Sequence, residues 1–376
     1  MSEQRAAAGT SGANWRRGAV LAATVAAVFA LVLFIHRRAS NASAVSPKVV
    51  HVTCTAAATG ERAFSGLTAV IVAQGWLEAE LAKRGARIEW VPVSGAAVGP
   101  MVNEGFANHT IDVANYGDLP SIIANAAGVR TELIVPDGRG SDTYLVVPPD
   151  STATSLSDLK GKAIAIHRGR PWELPFSRLV GSLGLTYDDF NVVNLNPQAG
   201  VAALAAHKVD ALYTISAYVL EQKGVGKVIW STAQAPADWK MRAELWASRD
   251  FVRDNPELTQ IIATAYVKAA HWASENRSEM LKILSNTGTP VDVLEREYGE
   301  GEAWRNRWSP LFDAPVLLHY KNAIAYAREK QMIARDLDFA ECYDPRFAKA
   351  AIEQLGLDDY WRPWAAEPMS ARRPGE

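Results

Sequence analysis

Short apolar runs alternate with helix-like segments between residues 48 and 231 of this chain. The runs are rich in β-branched residues, which is typical of buried strands, and the alternation predicts parallel sheet covered by helices. The predicted strands are Val49–Thr53, Arg87–Val93, Ile111–Asn115, Thr131–Val135, Tyr144–Val147, Ala163–Ile166, Phe190–Leu195, Val209–Thr214 and Lys227–Ser231. The predicted helices between them are Phe64–Ala73, Trp76–Arg84, Gly99–Asn108, Leu119–Ala127, Trp172–Leu183, Ala199–Ala206 and Ser216–Lys223.

The pattern changes at Ala243, after which we expect helices only. The longest begins at Asn255-Pro256 and carries an apolar face. Further helices are predicted at Arg277–Leu284, Pro290–Tyr298, Val316–Lys330 and Pro345–Gln354.

The segment from Tyr144 to Arg170 forms one local unit. Its first strand stops at Pro148-Pro149, and Ser155 then caps a single helical turn, Leu156–Leu159, which ends at Gly161 in a left-handed conformation. A second buried strand, Ala163–Ile166, leads into the loop His167–Arg170.

The N-terminal region carries an uncharged apolar stretch, Gly18–Ile35, flanked by Arg16-Arg17 and by His36-Arg37-Arg38. Its length is at the short end of a membrane span. The long apolar core and the basic flank favour an uncleaved anchor, whereas Ala42-Ser43-Ala44 fits cleavage of a secretory signal. Both alternatives stay open, and both place the rest of the chain outside the cytoplasm.

Composition narrows the function classes. The 39 Lys and Arg residues balance 41 Asp and Glu residues, which argues against a nucleic-acid-binding surface. With only two cysteines, Cys54 and Cys342, two free buried thiols are expected rather than a disulfide scaffold. Seven histidines form no zinc motif, and the chain has neither a P-loop nor a GxSxG elbow, so neither a metal nor an organic cofactor is expected.

Three sequence stretches resemble a known family. The unit YLVVPPDSTATSLSDLKGKAIAI, the run AALAAHKVDALY and the late motif YDPRFAKAAIEQLG are similar to those of type II solute-binding proteins of ABC importers, in the nitrate, sulfonate and taurine subfamily. The similarity covers roughly residues 48–366. It implies a two-lobed α/β periplasmic-binding-protein fold of type II, with an N-terminal transmembrane or signal helix and a C-terminal helical extension.

The resemblance also implies a division of the chain. We expect a cytoplasmic stub at 1–17, the apolar helix at 18–35 and a linker at 36–47. Lobe 1 would comprise 48–142 and return at 237–366, lobe 2 would comprise 143–236, and 367–376 would be a disordered tail. Gly138 and Gly140 lie where the chain first crosses between lobes, and they suit a hinge.

Ligands of open α/β sheets bind beyond the carboxyl ends of the strands. Four such ends are predicted to face each other across a cleft, at Cys54–Ser65, Tyr116–Pro120, His167–Glu173 and Ile215–Tyr218. Three run into a helix start, whose unpaired N–H groups and partial positive charge suit a small oxyanion. The candidate ligand contacts are Thr55, Gly117, Asp118, Ser141, Arg168, Arg170, Trp172, Ser216 and Tyr218.

Each candidate also has a structural interpretation. Asp118 is placed to cap its helix, Arg168 and Arg170 are candidates for solvated loop charges, and Trp172 suits an apolar core. The loop IHRGRPWELPF departs from the family's usual small polar residues, so the ligand is not carried over from any relative.

The resemblance implies capture of a small organic anion, such as a sulfonate, taurine or nitrate, in the periplasm or at the cell exterior. The expected partners are a permease and an ATPase, the expected state is a monomer, and the apolar helix would tether the protein to the membrane. Two alternatives remain: a membrane-tethered ligand sensor, and an enzyme like the pyrimidine-precursor synthase of thiamine biosynthesis. That enzyme's cysteine-rich motif is missing here.

Overall fold

The computed structural model describes residues 48–56, 64–94, 97–215 and 217–364. Two five-stranded sheets organise this part of the chain. The strands are β1 (Lys48–Ala56), β2 (Ala86–Ser94), β3 (Val113–Gly117), β4 (Thr131–Val135), β5 (Tyr144–Val147), β6 (Ala163–Ile166), β7 (Asn191–Asn194), β8 (Ala211–Thr214), β9 (Lys227–Ser231) and β10 (Ala243–Ser248). Nine of these strands match predicted ones, whereas β10 lies where only helix was expected, and that prediction is wrong.

The helices cover both sheets. They are α1 (Gly66–Gln74), α2 (Trp76–Ala82), α3 (Val98–Ala107), α4 (Asp118–Ala126), α5 (Glu173–Ser182), α6 (Pro197–Ala205), α7 (Tyr218–Gln222), α8 (Arg249–Asp254), α9 (Pro256–Glu275), α10 (Arg277–Ser285), α11 (Val291–Tyr298), α12 (Gly301–Arg307), α13 (Ala314–Glu329) and α14 (Pro345–Gln354). Short 3₁₀ turns lie at Leu156–Leu159, Tyr187–Asp189, Thr232–Gln234, Ala237–Trp239 and Phe339–Glu341.

The first sheet has the order β2-β1-β3-β10-β4, and the second has the order β7-β6-β8-β5-β9. In the first sheet β1 and β3 are parallel, and β10 runs antiparallel to both β3 and β4. In the second sheet β6 is parallel to β7 and β8, whereas β5 is antiparallel to β8 and β9. Each sheet is therefore mixed rather than purely parallel. We call each sheet with its covering helices a lobe; the boundaries at residues 142 and 236 stay predictions.

Apolar side chains cover both faces of each sheet. Helix α9 supplies much of the core on one face of the first sheet, and α13 packs on the other face. The second sheet has its own two clusters, around Phe176 and around Leu204. Since both faces are buried, the strands read as continuous apolar runs, which is why most of them could be found from the sequence.

The local unit at the start of the second sheet is confirmed. Ser155 and Asp158 form a reciprocal capping box around the turn Leu156–Leu159. Gly161 follows at a φ of 73°, as its left-handed role requires. Of the membrane-related predictions, Gly18–Ile35 lies outside the described residues. Among the helices that the structure describes, none combines the length and apolar character that crossing a membrane requires.

The C-terminal helices of the first lobe also contact the second lobe. Arg296 of α11 pairs with Glu221 of α7 at 2.7 Å, and Gln222 donates a hydrogen bond to Asp292 at 2.7 Å. Leu174 of α5 is buried in the same apolar cluster as Val316 of α13. The C-terminal extension therefore bridges the lobes as well as completing the first one.

Candidate functional site

Two chain segments cross between the sheets and pair with each other. The first joins β4 to β5 and the second joins β9 to β10. Ser141 and Met241 exchange backbone hydrogen bonds of 2.9 and 3.1 Å, which holds the two crossings side by side. Gly138 and Gly140 in the first crossing have φ angles of 84° and 82°, a region that L side chains rarely adopt.

Gly138 has a second constraint. A Cβ atom on Gly138 would lie 2.1 Å from the carbonyl oxygen of Arg307, and that same oxygen accepts a hydrogen bond from the Arg139 N–H at 2.8 Å. The crossing is therefore packed directly against the end of α12, and glycine is required there for contact as well as for conformation.

Replacing Gly138 by Ala is expected to lower the free energy of unfolding by about 2–4 kcal/mol, since backbone strain and steric overlap add. Gly161→Ala is the matched control, because Gly161 has a similar φ of 73° but no atom within 4 Å of its Cβ position. The control should lose only about 1–2 kcal/mol. Urea unfolding of both variants measures the difference. Equal losses would show that the contact with Arg307 carries no cost.

Two of the four predicted strand ends, Tyr116–Pro120 of the first lobe and His167–Glu173 of the second, lie close to each other. A Cβ on Gly117, at the end of β3, would lie 2.1 Å from Cγ of Pro171, which belongs to the loop after β6. Gly99, in the first turn of α3, would bring a Cβ within 2.6 Å of a guanidinium nitrogen of Arg170. The two glycines therefore let the second lobe approach the first at close range.

Asp118 is held by a buried partner. Gly117 is the N-cap and Asp118 is the first helical residue of α4, so the prediction of Asp118 as N-cap is off by one position. Its carboxylate accepts a hydrogen bond from the Leu119 N–H and lies 2.6 Å from Nε2 of His319 on α13. Both side chains are fully buried. Because Asp118's own N–H donates to Arg242 and Pro120 has none, the start of α4 offers little to an anion.

The two arginines of the loop after β6 point in different directions. Arg168 is exposed, donates to Glu173 at 3.0 Å and lies over the ring of Tyr187. Arg170 is buried and reaches the start of α3 in the other lobe. Burial lowers the pKa of Arg170. Of the two, Arg170 is the one placed at the interface between the lobes.

The remaining predicted contacts are distributed over the cleft and its surroundings. Thr55 is half-buried in β1, and its carbonyl accepts a hydrogen bond from the N–H of Ser65. Trp172 packs in the core of the second lobe. Tyr218 begins α7 with its ring 5.1 Å from that of Tyr144. Ser216 lies outside the described residues. As ligand contacts, all of these stay predictions.

Arg307 is the central residue that the sequence reasoning missed. It ends α12, and its guanidinium carbon lies 4.0 Å above the ring of Tyr298. Its Nη2 donates to the hydroxyl of Ser141 at 3.3 Å. Stacking and hydrogen bonding thus hold a half-buried guanidinium beside the crossing between the lobes. The signal was missed because no helix was predicted at Gly301–Arg307.

Two carboxylates lie close to Arg307. Burial raises the pKa of Asp137 to about 6, although hydrogen bonding by Asn115 and the charges of Arg242 and Arg307 oppose the shift. Burial likewise raises the pKa of Glu297 to about 7, against Arg307 and with the help of Asp142. Both side chains are half-buried.

Helix α1 begins beside Asp137. Its N-cap, Ser65, makes no side-chain capping bond, and its first turn contains no acidic residue. A carboxylate oxygen of Asp137 lies 3.7 Å from the Cβ position of Gly66, the first residue of the helix. The positive end of α1, Arg307 and Asp137 are therefore neighbours in the cleft.

The other charges at the crossings are already paired. Asp142 binds Lys240 at 2.8 Å, Arg139 binds Asp313 at 3.0 Å, and Arg242 binds Glu244 at 2.5 Å. The first pair joins the two crossing segments to each other, and the other two tie them to the first lobe. Arg307, Asp137 and Glu297 are not members of these three pairs.

Nucleophilic and metal chemistry have little support in the described residues. Cys54 and Cys342 are free and buried, as predicted. Burial raises the pKa of Cys54 to about 12, so its thiol is protonated at neutral pH and is a poor nucleophile. Across the described ranges, no group of three or more His, Cys, Asp or Glu side chains is arranged to hold a metal ion.

Comparison with known proteins identifies the family. The model of the "NMT1/THI5 like" family matches residues 104–280. The structure of the periplasmic sulfonate-binding protein SsuA from Methylobacillus flagellatus KT is 46% identical to this chain, covers 86% of it and 99% of that protein, and superposes with a TM-score of 0.79. The chain belongs to the SsuA-like family of solute-binding proteins.

More distant relatives are also named as binding proteins. A Bacillus subtilis (strain 168) protein named for binding aliphatic sulfonates is 22% identical over 285 residues, which are 75% of this chain and 83% of that one. The taurine-binding periplasmic protein of Escherichia coli K12 is 24% identical over 54% of this chain and 62% of its own length. These relatives are binding proteins, which confirms the resemblance and the expectation of a binding protein rather than an enzyme.

The fold itself is shared more widely. A desulfurization enzyme, DSZB, aligns over 82% of this chain and 99% of its own with a TM-score of 0.62 at 16% identity, which shows a common fold alone. The assignment to a binding role therefore depends on the SsuA-like relatives and not on the architecture.

Proposed function

We propose that this protein captures a small organic anion of the sulfonate class in the cleft between its lobes and presents it to an ABC permease and its ATPase. The observation that carries the proposal is the guanidinium of Arg307, stacked on Tyr298 and aimed at the crossing between the lobes. A planar guanidinium binds an oxyanion through parallel charge-assisted hydrogen bonds. The sulfonate-binding names of the 46% identical structure and of the curated relatives support the ligand class.

The groups around Arg307 also suit an anionic ligand. The uncapped start of α1 adds N–H donors and partial positive charge on the first lobe. Ser141 bridges to Arg307, and Tyr218 and Arg170 approach from the second lobe. We propose that Thr55 and Gly117 also contact the ligand, and that Asp118, Arg168 and Trp172 act through the partners that hold them. Ser216 stays a ligand contact predicted from the sequence.

Capture works by closure of the lobes on the ligand. A ligand that contacts both lobes binds the closed state more tightly than the open state, and this difference in affinity shifts the population. Gly138 and Gly140 in the first crossing supply the backbone freedom for the movement. The interactions between α11 and α7 are lost on opening, so they add to the stability of the closed state.

We also propose a cellular location and an oligomeric state. The protein is a monomer outside the cytoplasm, tethered to the membrane through residues 18–35. The periplasmic names of the relatives support the compartment. The mass of the mature protein, measured in membrane and soluble fractions, decides between the two alternatives. A tethered protein keeps residues 18–35, whereas a protein with a cleaved signal lacks them.

The ligand class is tested by thermal unfolding of the full chain with a panel of alkanesulfonates, 2-aminoethanesulfonate, nitrate and ethylammonium. A sulfonate at 100 times its dissociation constant should stabilise the protein by about 2.7 kcal/mol, because it binds only the folded state. Ethylammonium, which lacks the anion, should produce no shift. Absence of a shift with every anion would contradict the proposed function.

A further inference from the structure

His319 of α13 is a fully buried histidine whose two ring nitrogens both face oxygen atoms. Its Nε2 lies 2.6 Å from a carboxylate oxygen of Asp118, and its Nδ1 lies 2.9 Å from the backbone carbonyl oxygen of Asp238. A carbonyl oxygen only accepts, so Nδ1 carries a proton and donates to Asp238. One side chain therefore links the start of α4 to the turn Ala237–Trp239 in the second crossing.

Two contacts attach this turn to the second lobe. The Nη1 group of Arg178, on α5, donates to the backbone carbonyl and to the carboxylate of Asp238, at 2.8 and 2.6 Å. Trp239 packs against the apolar cluster around Phe176, which belongs to the second sheet. A movement of the second lobe relative to the first therefore carries Asp238 with it.

Helix α13, by contrast, is fixed to the first lobe. Tyr320 and Ala323 are fully buried in the apolar cluster that covers one face of the first sheet. His319 and Asn322 are three positions apart and therefore share one side of the helix. The side-chain amide of Asn322 donates to the carboxylate of Asp238 at 3.2 Å. This side of α13 therefore contacts the turn that is held by the second lobe.

The link through His319 lies beside the contact between Gly117 and the loop after β6. Asp118 directly follows Gly117, and a Cβ on Gly117 would lie 2.1 Å from Pro171 of that loop. Arg178 lies on the helix that follows the same loop. His319 therefore connects the two chain segments that approach each other here, one from each lobe.

We propose that His319 is a positioning residue for ligand capture, which holds the end of β3 and the loop after β6 in register when the lobes close. This proposal rests on the proposed function, because it concerns the closed state to which the ligand binds. When the lobes open, Asp238 moves away and the hydrogen bond from Nδ1 is lost, whereas the bond to Asp118 stays within the first lobe. His319 thus increases the affinity for ligand without touching it, by stabilising the closed state.

The test separates the two hydrogen bonds of His319 by substitution. In His319→Gln the amide nitrogen takes the place of Nε2 and keeps a donor for Asp118, but Asp238 loses its donor. In His319→Asn the amide nitrogen takes the place of Nδ1 and keeps a donor for Asp238. Calorimetric titration of the full chain with ethanesulfonate should show binding about tenfold weaker than wild type for the Gln variant, and less than threefold weaker for the Asn variant.

Urea unfolding of the ligand-free variants separates positioning from a general loss of stability. Each His319 variant loses one buried hydrogen bond, so both should unfold at lower urea concentration than wild type. Asn125→Ala is the matched control, because Asn125 makes three hydrogen bonds within the first lobe, with Ser121 and Thr131. The control should also unfold earlier, but its affinity for ethanesulfonate should equal that of wild type. Equal affinities of the two His319 variants would overturn the proposal.

Asn322→Ala provides a second test that leaves the buried histidine in place. Asn322 is half-buried, and the variant removes its hydrogen bond to Asp238. Ethanesulfonate should bind this variant about threefold more weakly than wild type. Should both His319 variants fail to fold, an unchanged affinity of Asn322→Ala would overturn the proposal.

These outcomes are distinguishable from failure of the proposed function. Wild-type protein that binds ethanesulfonate, with variants that bind it equally well, would contradict the role of His319 and leave sulfonate capture standing. If wild-type protein binds no anion of the panel, both the proposed function and the role of His319 are wrong.

Discussion

Replacing Arg307 by Gln is expected to weaken sulfonate binding by about a hundredfold, which corresponds to about 2.7 kcal/mol and lies within the range for truncating a charged group in a desolvated contact. Two effects add. The anion loses the charge-assisted hydrogen bonds of the guanidinium, and the cleft keeps the negative charges of Asp137 and Glu297 without their shared counter-charge. Calorimetric titration with ethanesulfonate measures the loss.

Arg305→Gln is the matched control for this experiment. Arg305 lies on the same helix, two residues earlier, but it is exposed and its nearest carboxylate partner is Glu275 at 3.7 Å. Its loss should change the affinity less than twofold, since exposed pairs contribute little. Urea unfolding shows whether both variants keep the stability of the wild-type fold. Equal affinities of the two variants would remove Arg307 from the binding site.

Replacing Arg242 by Met is expected to lower the free energy of unfolding by about 3–5 kcal/mol at pH 8. Glu244 lies on β10 and Arg242 directly precedes this strand; both side chains are buried and they pair at 2.5 Å. Glu244 also accepts a hydrogen bond from the Asp137 N–H, and Arg242 donates to the carbonyl of Gly138 at 2.7 Å. The variant would leave Glu244 as a buried carboxylate without a cation, at the point where the first crossing begins.

The free energy of unfolding that Arg242→Met loses should increase as the pH rises. Burial raises the pKa of Glu244 to about 7 even beside Arg242, and the variant should raise the pKa further. A carboxyl whose folded pKa exceeds its unfolded value loses stability as pH rises between the two values. The free energy of unfolding of the variant should therefore differ little from that of wild type at pH 5 and much more at pH 8, as measured by urea unfolding.

The double variant Arg242→Met with Glu244→Leu serves as the control. Removing both charges leaves no unpaired ion, so the double variant should recover much of the stability that the single variant loses. A double variant as unstable as the single one would mean that packing, and not charge, explains the loss.

The local unit Tyr144–Arg170 shows how far sequence alone can reach. Its strands, its capped turn and Gly161 were all predicted correctly, because each depends on the residue itself or on neighbours within a few positions. The same holds for Thr131–Val135, Lys227–Ser231 and Pro345–Gln354, whose predicted bounds are those of the structure.

Strand β10 and helix α12 show where the sequence pattern was insufficient. Ala243–Ser248 includes a glutamate and precedes a long helical region, so its pattern is weak. It is a strand because β3 and β4 flank it on either side and Arg242 neutralises its buried Glu244. Helix α12 is short, and it is anchored by Trp304, whose indole N–H donates to the carbonyl of Ala273.

The candidate site also contains one contact that could be predicted from the sequence and one that could not. The approach of Gly117 to the loop after β6 could be predicted, because the family resemblance implies two lobes and ligand clefts lie beyond the carboxyl ends of their strands. Arg307 could not, since it is 166 positions from the Ser141 hydroxyl that it contacts, and nothing in its neighbourhood distinguishes it from Arg305.

The sequence by itself determined the family and the order of most strands and helices. These follow from periodicity, turn chemistry and short motifs, which act over a few residues. Only the tertiary structure decided that Asp118 faces His319, that Arg168 and Arg170 diverge, and that the charge of Arg307 acts on both Asp137 and Glu297. The physical reason is that burial and charge pairing depend on which distant segments meet, and that is settled by packing of the whole chain.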